Sequence, residues 1–391
     1  MDQVIWYPGH QLLLANIVRA EGPWVVADDG RRWLDLESGV WAASVGQTHP
    51  RVDAALQQQF ATIAHTGFNY TAPVVAEAAA AVLRVLDLGD GARCSLLCSG
   101  SEAVEYCIRI VTGMLPRPRL LTMADSYFGA YGAAHGRPAD RWTTFDWFGC
   151  EGCPDGKRCD ATCERFATIP LAEIGAFVFE PGSSSGFVRF PPAKLVEAIA
   201  QAVQAAGGFV VVNEVTTGVG RTGRWFGYRH YDVQPDAVAL GKGIGGGYPV
   251  AVAAVGPRVA AGMSGPPAYA QSHQNDPLGA AVLLAVIGII EDDDLIARGA
   301  AVGARLAEGL MALAQTSPRI RTVRARGPMI AIDLDMTPAE AAALHRALVD
   351  AGYLVGLRPG TATLRLDPPL GLADQHADAF LQVFGERLRA V

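Results

Sequence analysis

The chain has 391 residues with 32 Lys plus Arg against 39 Asp plus Glu, a formal net charge of −7, which argues against nucleic acid or an anionic membrane as its partner. Half of the residues are hydrophobic and only 18% are charged, enough for one sizeable core, a second smaller domain and further burial in a subunit interface. The start, MDQVIWYPGHQ, has no basic region followed by a cleavable apolar stretch, and no apolar run is long enough to span a bilayer, so a cytoplasmic protein is expected.

In chain order, ANIVRAEGPWVVADDGRRWLDLESGVWAASVGQTHP reads as a strand, a turn at Asp29-Gly30, a second strand and then irregular chain, a β-meander. Apolar spacing and alanine content predict helices over 51–59 and 72–86, with Pro73 in the first turn. Asp90-Gly91 breaks the chain before a strand, ARCSLLC. CSGSEAVEYCIRIV then puts Ser99, Gly100 and Ser101 at the start of an amphipathic helix, with Glu102 in its first turn. S-G-S-E is a good N-cap in its own right. The free N–H groups of a helix start, its dipole and two hydroxyls also make an anion site suited to phosphate.

PRLLTM is the next strand, and in the ADSYFGAYGAAHG that follows, Tyr127 is either a core residue or a platform on which a flat ligand stacks. FGCEGCPDGKRCDATCERF carries Cys150, Cys153, Cys159 and Cys163 as C-x2-C-x5-C-x3-C. Four thiols so close, with Gly and Pro between them, suit a tetrahedral zinc ion; an iron–sulfur cluster can use the same ligands, and free thiols are the third reading. Zinc is favoured, as a structural staple on a loop away from the chemistry. Cys94, Cys98 and Cys107 lie in apolar patterns and read as small buried hydrophobes.

IGAFVFEP is a strand ending at Glu180, PPAKLVEAIAQAVQAAGG a helix stopped by glycines, and GGFVVVNEV a buried strand that runs into Asn213 and Glu214. PDAVALG is a strand bounded by Pro235 and a glycine, and the GIGGGYP after Lys242 can only be loop. Lys242 therefore sits just past a strand's carboxyl end, the edge at which open parallel sheets bind ligands. Repeated strand, helix, strand predicts a mainly parallel α/β sheet with right-handed crossovers. VAVAAV is a further buried strand, a long helix follows YAQSHQNDP, and the rest alternates helices with MIAIDLD, YLVGLRP and ATLRLDPPL as an α+β end.

The run NEVTTGVGRTG, PDAVALGKG, GIGGGYP resembles the signature of the class III aminotransferases, pyridoxal-phosphate enzymes of fold type I. The resemblance covers nearly the whole chain apart from the cysteine segment. It implies a homodimer with a large parallel-sheet domain, residues 46–277, and a small domain made from both ends, 1–45 and 278–391. Lys242 would carry the cofactor as a Schiff base, with Ser99, Gly100 and Ser101 as the phosphate cup and Tyr127 stacking on the ring. Glu180 matches an E-P pair on the same rim, and Thr216 joins the cofactor-binding set. Ser272 falls at a threonine that reaches the phosphate of the neighbouring subunit, although Asp276 replaces the asparagine of that motif. Arg365 matches an arginine that grips a substrate carboxylate; a structural ion pair is the other reading. The N-terminal part lines the active-site entrance in the family, which makes Trp6, Tyr7, Val40 and Trp41 substrate-pocket candidates, each equally readable as interface packing.

Two departures bear on chemistry. GSSSGF stands where the family often has a glutamine-glycine-glutamate run, and Asn213 stands where an aspartate usually pairs with the pyridine nitrogen. A neutral amide gives that proton no compensating charge, so a weaker electron sink is expected, with Glu180 or Glu214 supplying part of the missing charge. The expected function is transfer of an amino group between an amino acid or related amine and a keto acid. Asn213 keeps a second reading open, an amino-acid epimerase or aminomutase on the same scaffold. A cofactor-binding scaffold without turnover is a third, which the intact Lys242 opposes.

Overall fold

The computed structural model describes residues 3–7, 9–116, 119–153 and 158–390. The first residue of PRLLTM, the PDGK of the cysteine segment and Val391 lie outside the described residues. A seven-stranded sheet runs in the order Arg93–Leu97, Ala251–Val255, Ala237–Leu240, Phe209–Asn213, Ile174–Phe179, Arg119–Met123, Trp142–Phe145. Ala251–Val255 is antiparallel to both of its neighbours, whereas every other pairing in this sheet is parallel. The apolar run VAVAAV announces a buried strand but carries no signal for its direction.

Side-chain alternation divides the central strands between two helical layers. Val210, Val212, Val238 and Leu240 face the helices Pro73–Leu86, Ala193–Ala205 and Pro277–Asp292, while Phe209, Val211, Ala237 and Ala239 face Gly100–Gly113. Each large apolar side chain taken out of water contributes about 1.5–3 kcal/mol, and the small alanines let the helix Gly100–Gly113 lie close over the sheet. Pro277–Asp292 is apolar on nearly all sides and buried accordingly. Among the described residues no helix is long and apolar enough to cross a membrane.

Both ends of the chain join in two smaller sheets. The meander Ile17–Glu21, Trp24–Ala27, Arg32–Asp35 turns at Asp29-Gly30 and pairs in parallel with Tyr353–Leu354. An antiparallel sheet in the order Ile320–Arg326, Met329–Leu334, Thr363–Leu366, Gly356–Leu357 lies beside it. YLVGLRP, expected as one strand, thus splits between two sheets. Helices Leu295–Thr316, Pro338–Asp350 and Asp374–Ala390 cover these strands through Leu306, Leu310, Leu344, Leu348, Phe380 and Phe384. The predicted helix at 51–59 extends over Pro50–Thr62, and Pro73 begins Pro73–Leu86 as expected.

One buried cation ties the large sheet to both ends of the chain. Arg221, 1% exposed, donates through Nη1 to Pro368 O and through Nη2 to Ser44 Oγ. Burial lowers its pKa to about 10, opposed by the carboxylates of Asp367 and Asp35. The G-x-G-R-T-G arginine is therefore a strut between segments. Arg221→Met should lower the unfolding free energy by about 3–5 kcal/mol, because it leaves Pro368 O and Ser44 Oγ without their buried donor and removes one of the two cations that oppose the buried Asp367 carboxylate. Urea unfolding at an unchanged m-value is the check, and a loss below about 1 kcal/mol contradicts the strut.

Candidate active site

Five strands deliver their ends to one rim. Leu97 leads to Ser99, Met123 to Tyr127, Phe179 to Glu180, Phe209–Asn213 ends at the amide itself, and Leu240 leads to Lys242. A cavity of about 440 Å³ opens there. Gly100, Ser101, Tyr127, Asn213, Thr216 and Lys242 line it. Val40, Trp41 and Arg365 reach the same cavity from the two ends of the chain.

The helix Gly100–Gly113 begins with a capping box. Ser99 Oγ accepts from Glu102 N at 3.3 Å, and Glu102 Oε2 accepts from Ser99 N and Cys98 N, both at 2.9 Å. The N–H groups of Gly100 and Ser101 belong to the first turn, which has no intrahelical acceptors for them. A Cβ on Gly100 would lie 2.4 Å from Val215 Cγ1, so only glycine lets this turn pack against the strand end beside it. Ser99 caps the helix from just outside the cavity lining. Tyr127, 44% exposed, presents its ring at the opening.

Lys242 begins a short 3₁₀ turn in the left-handed region, with φ 47°, a conformation that a side-chain-bearing residue adopts at a cost of about 1–3 kcal/mol. Its Nζ donates to Thr216 Oγ1 at 3.0 Å and lies 4.5 Å from the centroid of the Trp41 ring. Burial pulls the amine down to about 8, against the upward pull of Glu180. This lysine therefore loses its proton around pH 8, well below the range of a surface lysine.

Asn213 and Glu180 form one buried unit. Asn213 Nδ2 donates to Glu180 Oε1 and to Tyr127 O, both at 3.0 Å, and its Oδ1 accepts from Val215 N at 3.1 Å. Glu180 also accepts from Tyr127 N at 2.9 Å and from Ser184 Oγ at 2.5 Å. Burial raises the Glu180 carboxyl to about 7, with these hydrogen bonds and Lys242 opposing it. Glu214 turns away. It accepts from Thr217 Oγ1, Gly227 N and Tyr228 N and fastens that loop, so the charge expected from it near Asn213 is not available there.

The opposite wall is a left-handed turn. Ser38, Gly39, Val40 and Trp41 have φ of 49°, 54°, 61° and 67°. Each non-glycine residue in that region costs roughly 1–2 kcal/mol. The turn is held by Ser38 Oγ donating to Asp367 O at 2.6 Å and Gly39 N donating to Asp35 Oδ2 at 3.1 Å. It aims Trp41 inward, where the Arg365 guanidinium carbon lies 3.9 Å from the ring centroid. Arg365 Nη2 donates to Glu37 Oε1 at 2.8 Å, while its buried Nε has no acceptor among the described residues. Burial raises the Glu37 carboxyl above the usual range, against the pull of Arg365. Gly356 leaves the room this guanidinium occupies, since a Cβ there would lie 2.7 Å from Nη2.

Sequence reasoning missed Glu37, His10 and Arg358. His10 and Arg358 line the cavity, and Arg358 stacks 4.0 Å from the Phe187 ring centroid while donating to Ser185 O at 3.0 Å. Only the LRPG turn hinted at Arg358, and nothing local marked the other two. Trp6 and Tyr7 pack on each other edge to face, exposed and outside the cavity lining. Ser272 is exposed and also outside it. Cys150, Cys153, Cys159 and Cys163 line a separate small cavity with Lys194, and all seven cysteines are free thiols. Contrary to the expectation of a closed zinc site, no three of these sulfurs lie within 4.8 Å of one another; among the described residues only His65, His273 and Asp276 bring three metal-binding side chains that close.

The family model described as Aminotransferase class-III matches residues 6–136 and 155–388, leaving out a stretch that holds Cys150 and Cys153. The acetylornithine aminotransferase of Mycolicibacterium smegmatis is 32% identical over 383 residues, 94% of this chain and 91% of that one. The acetylornithine aminotransferase of Mycobacterium tuberculosis strain H37Rv is 31% identical over 369 residues, 93% of this chain and 89% of that one. Among solved structures, an amine transaminase from an uncultivated Pseudomonas species superposes with a TM-score of 0.88 at 26% identity, covering 99% of this chain and 98% of that one. A Bacillus anthracis aminotransferase shares the fold with a TM-score of 0.90 at 23% identity, over 100% and 97% of the two chains. With a fold of this type, a lysine at the strand-end rim and a family match over nearly its whole length, the chain belongs to the class III aminotransferases.

Proposed function

We propose that Lys242 is the residue through which this aminotransferase holds pyridoxal phosphate and moves the substrate's proton, exchanging an amino group between a carboxylate-bearing amine and a keto acid. The observation that carries the reading is the half-buried Lys242 amine, which lines one cavity together with a helix N-terminus and Arg365. The residues present fit the cofactor. The first-turn N–H groups of Gly100 and Ser101 suit its phosphate, the Tyr127 ring suits its flat face, and the cavity of about 440 Å³ is in the range of small-molecule sites. When bound, pyridoxal phosphate supplies an aldehyde that condenses with amines and a ring that takes up the electrons left on a deprotonated substrate carbon.

The chain's own groups do the rest. Thr216 Oγ1 and the Trp41 ring hold the Lys242 amine in place. With its pKa near 8, the freed amine is a competent base for the substrate's α-proton and a competent acid for its return one position away. Asn213 offers the ring nitrogen a neutral amide oxygen. Its amide protons are already taken by Glu180 and Tyr127, so Glu180 acts on the ring only through Asn213. Arg365 takes the substrate carboxylate in place of Glu37, with its unpartnered Nε completing a two-point grip.

The relatives named acetylornithine aminotransferase support a donor of that kind, an amine on a chain that ends in a carboxylate. The isomerase reading has no comparable support, because the named relatives and neighbours are aminotransferases and transaminases. Ser272, exposed on the segment before the long helix, suits a homodimer in which it completes the neighbouring subunit's phosphate site. Seven free thiols suit a reducing, cytoplasmic compartment. Zinc at the four clustered cysteines rests on their spacing and their shared cavity, and requires the sulfurs to close in.

Two substitutions test these roles. Glu37→Gln removes the competitor for Arg365, so the KM for a keto acid should fall about tenfold, some 1.4 kcal/mol, with kcat nearly unchanged. Steady-state kinetics against several amine and keto-acid pairs decide this, and an unchanged or higher KM sinks the carboxylate-exchange role. Asn213→Asp should change the visible spectrum and speed α-proton removal about tenfold by the same conversion. Single-turnover rates with a deuterated donor measure that step; no change in spectrum or rate counts against the account of Asn213.

A further inference from the structure

Asp276 stands where the family motif has an asparagine, and its carboxylate has two tasks. Oδ1 caps the helix Pro277–Asp292 by accepting from Leu278 N at 3.3 Å. Oδ2 is met by His273 Nδ1 at 2.6 Å and His65 Nδ1 at 2.9 Å. The two imidazoles come from segments far apart in the chain, yet their centroids are 4.6 Å apart. All three ligand atoms lie within 4.8 Å of one another.

Two nitrogens and a carboxylate oxygen at this separation form one face of a coordination shell, since an ion about 2.0–2.2 Å from each atom sits among them without large movement. In these contacts each Nδ1 donates to Oδ2; on metal binding a neutral ring shifts that proton to Nε2 and offers the Nδ1 lone pair. The carboxylate adds the negative charge that an asparagine would lack. Its side chain is 13% exposed in the single chain, against 41% and 61% for the histidines, so the anion is the most sheltered of the three. A cavity of about 220 Å³ lined by Asp276, His273, Cys98 and Tyr248 leaves space for water to complete the shell.

We propose that His65, His273 and Asp276 bind a divalent transition-metal ion of the zinc type, clamping the segment after the helix Pro50–Thr62 to the start of the helix Pro277–Asp292. Imidazole with carboxylate selects such borderline ions over magnesium or calcium, which prefer all-oxygen sites. None of the three residues lines the cavity that holds Lys242 in the same chain, and the proposal does not depend on the transaminase reading.

Equilibrium dialysis of the purified holoenzyme against Zn²⁺, with metal counted per chain, tests the proposal. The variants are Asp276→Asn, His273→Gln and Cys159→Ser/Cys163→Ser, the last to silence the thiol cluster. Asparagine is as good a helix cap as aspartate and is the family's own residue, so D276N should fold. The expected result, in the cysteine-substituted background, is one Zn²⁺ per chain held with micromolar or tighter affinity and weakened at least tenfold when D276N or H273Q is added. Uptake that is absent, or unchanged by D276N and H273Q, or lost entirely with the cysteines, overturns it.

Discussion

The constraint on which the structure depends is the withdrawal of one amine from water, in a lysine left half-buried at a cavity wall. Lys242 must sit in the cavity, at the end of a strand and on a strained backbone, and yet give up its proton far more readily than a surface lysine. Desolvation supplies that, drawing it down to about 8, while Glu180 limits the effect by electrostatic attraction. Among the described residues no carboxylate pairs with the amine directly. Its hydrogen-bond partner is the neutral Thr216 hydroxyl and its nearest ring is Trp41, an arrangement that orients the nitrogen without fixing its charge.

The fold is the means by which that amine meets its partners. Parallel strands end on one rim, so an amide, a carboxylate, an aromatic ring and a helix start arrive together from distant stretches of sequence. The other half of the cavity comes from the chain's two ends, through the left-handed turn at Ser38–Trp41 and the strand Thr363–Leu366. Arg221 joins the halves. Strain in the turn and at Lys242 is tolerated because buried hydrogen bonds and packing hold both places, and those are the two places that define the cavity walls.

Much of this was legible in the sequence. Glycines on both sides of Lys242 and a β-branched strand before Asn213 are local signals, and each put its residue on the right rim. The S-G-S-E cap was equally clear, because a capping box is written in consecutive residues. Pairings across the chain were not. Glu37 meets Arg365 across 328 positions, and His65 meets Asp276 across 211, with no pattern at either end. Strand direction was hidden for the same reason: VAVAAV is apolar whichever way it runs. Spacing also suggested more than distance delivers at the cysteines, since neighbours in sequence set a loop's length but not where its sulfurs point.

Borohydride reduction of the purified protein, followed by proteolysis and mass mapping, tests the central claim most directly. If Lys242 holds pyridoxal phosphate covalently, reduction fixes the group to the peptide containing that residue, bleaches the visible band and abolishes turnover. A label on another lysine, or reduction that leaves both spectrum and turnover as they were, would contradict the account.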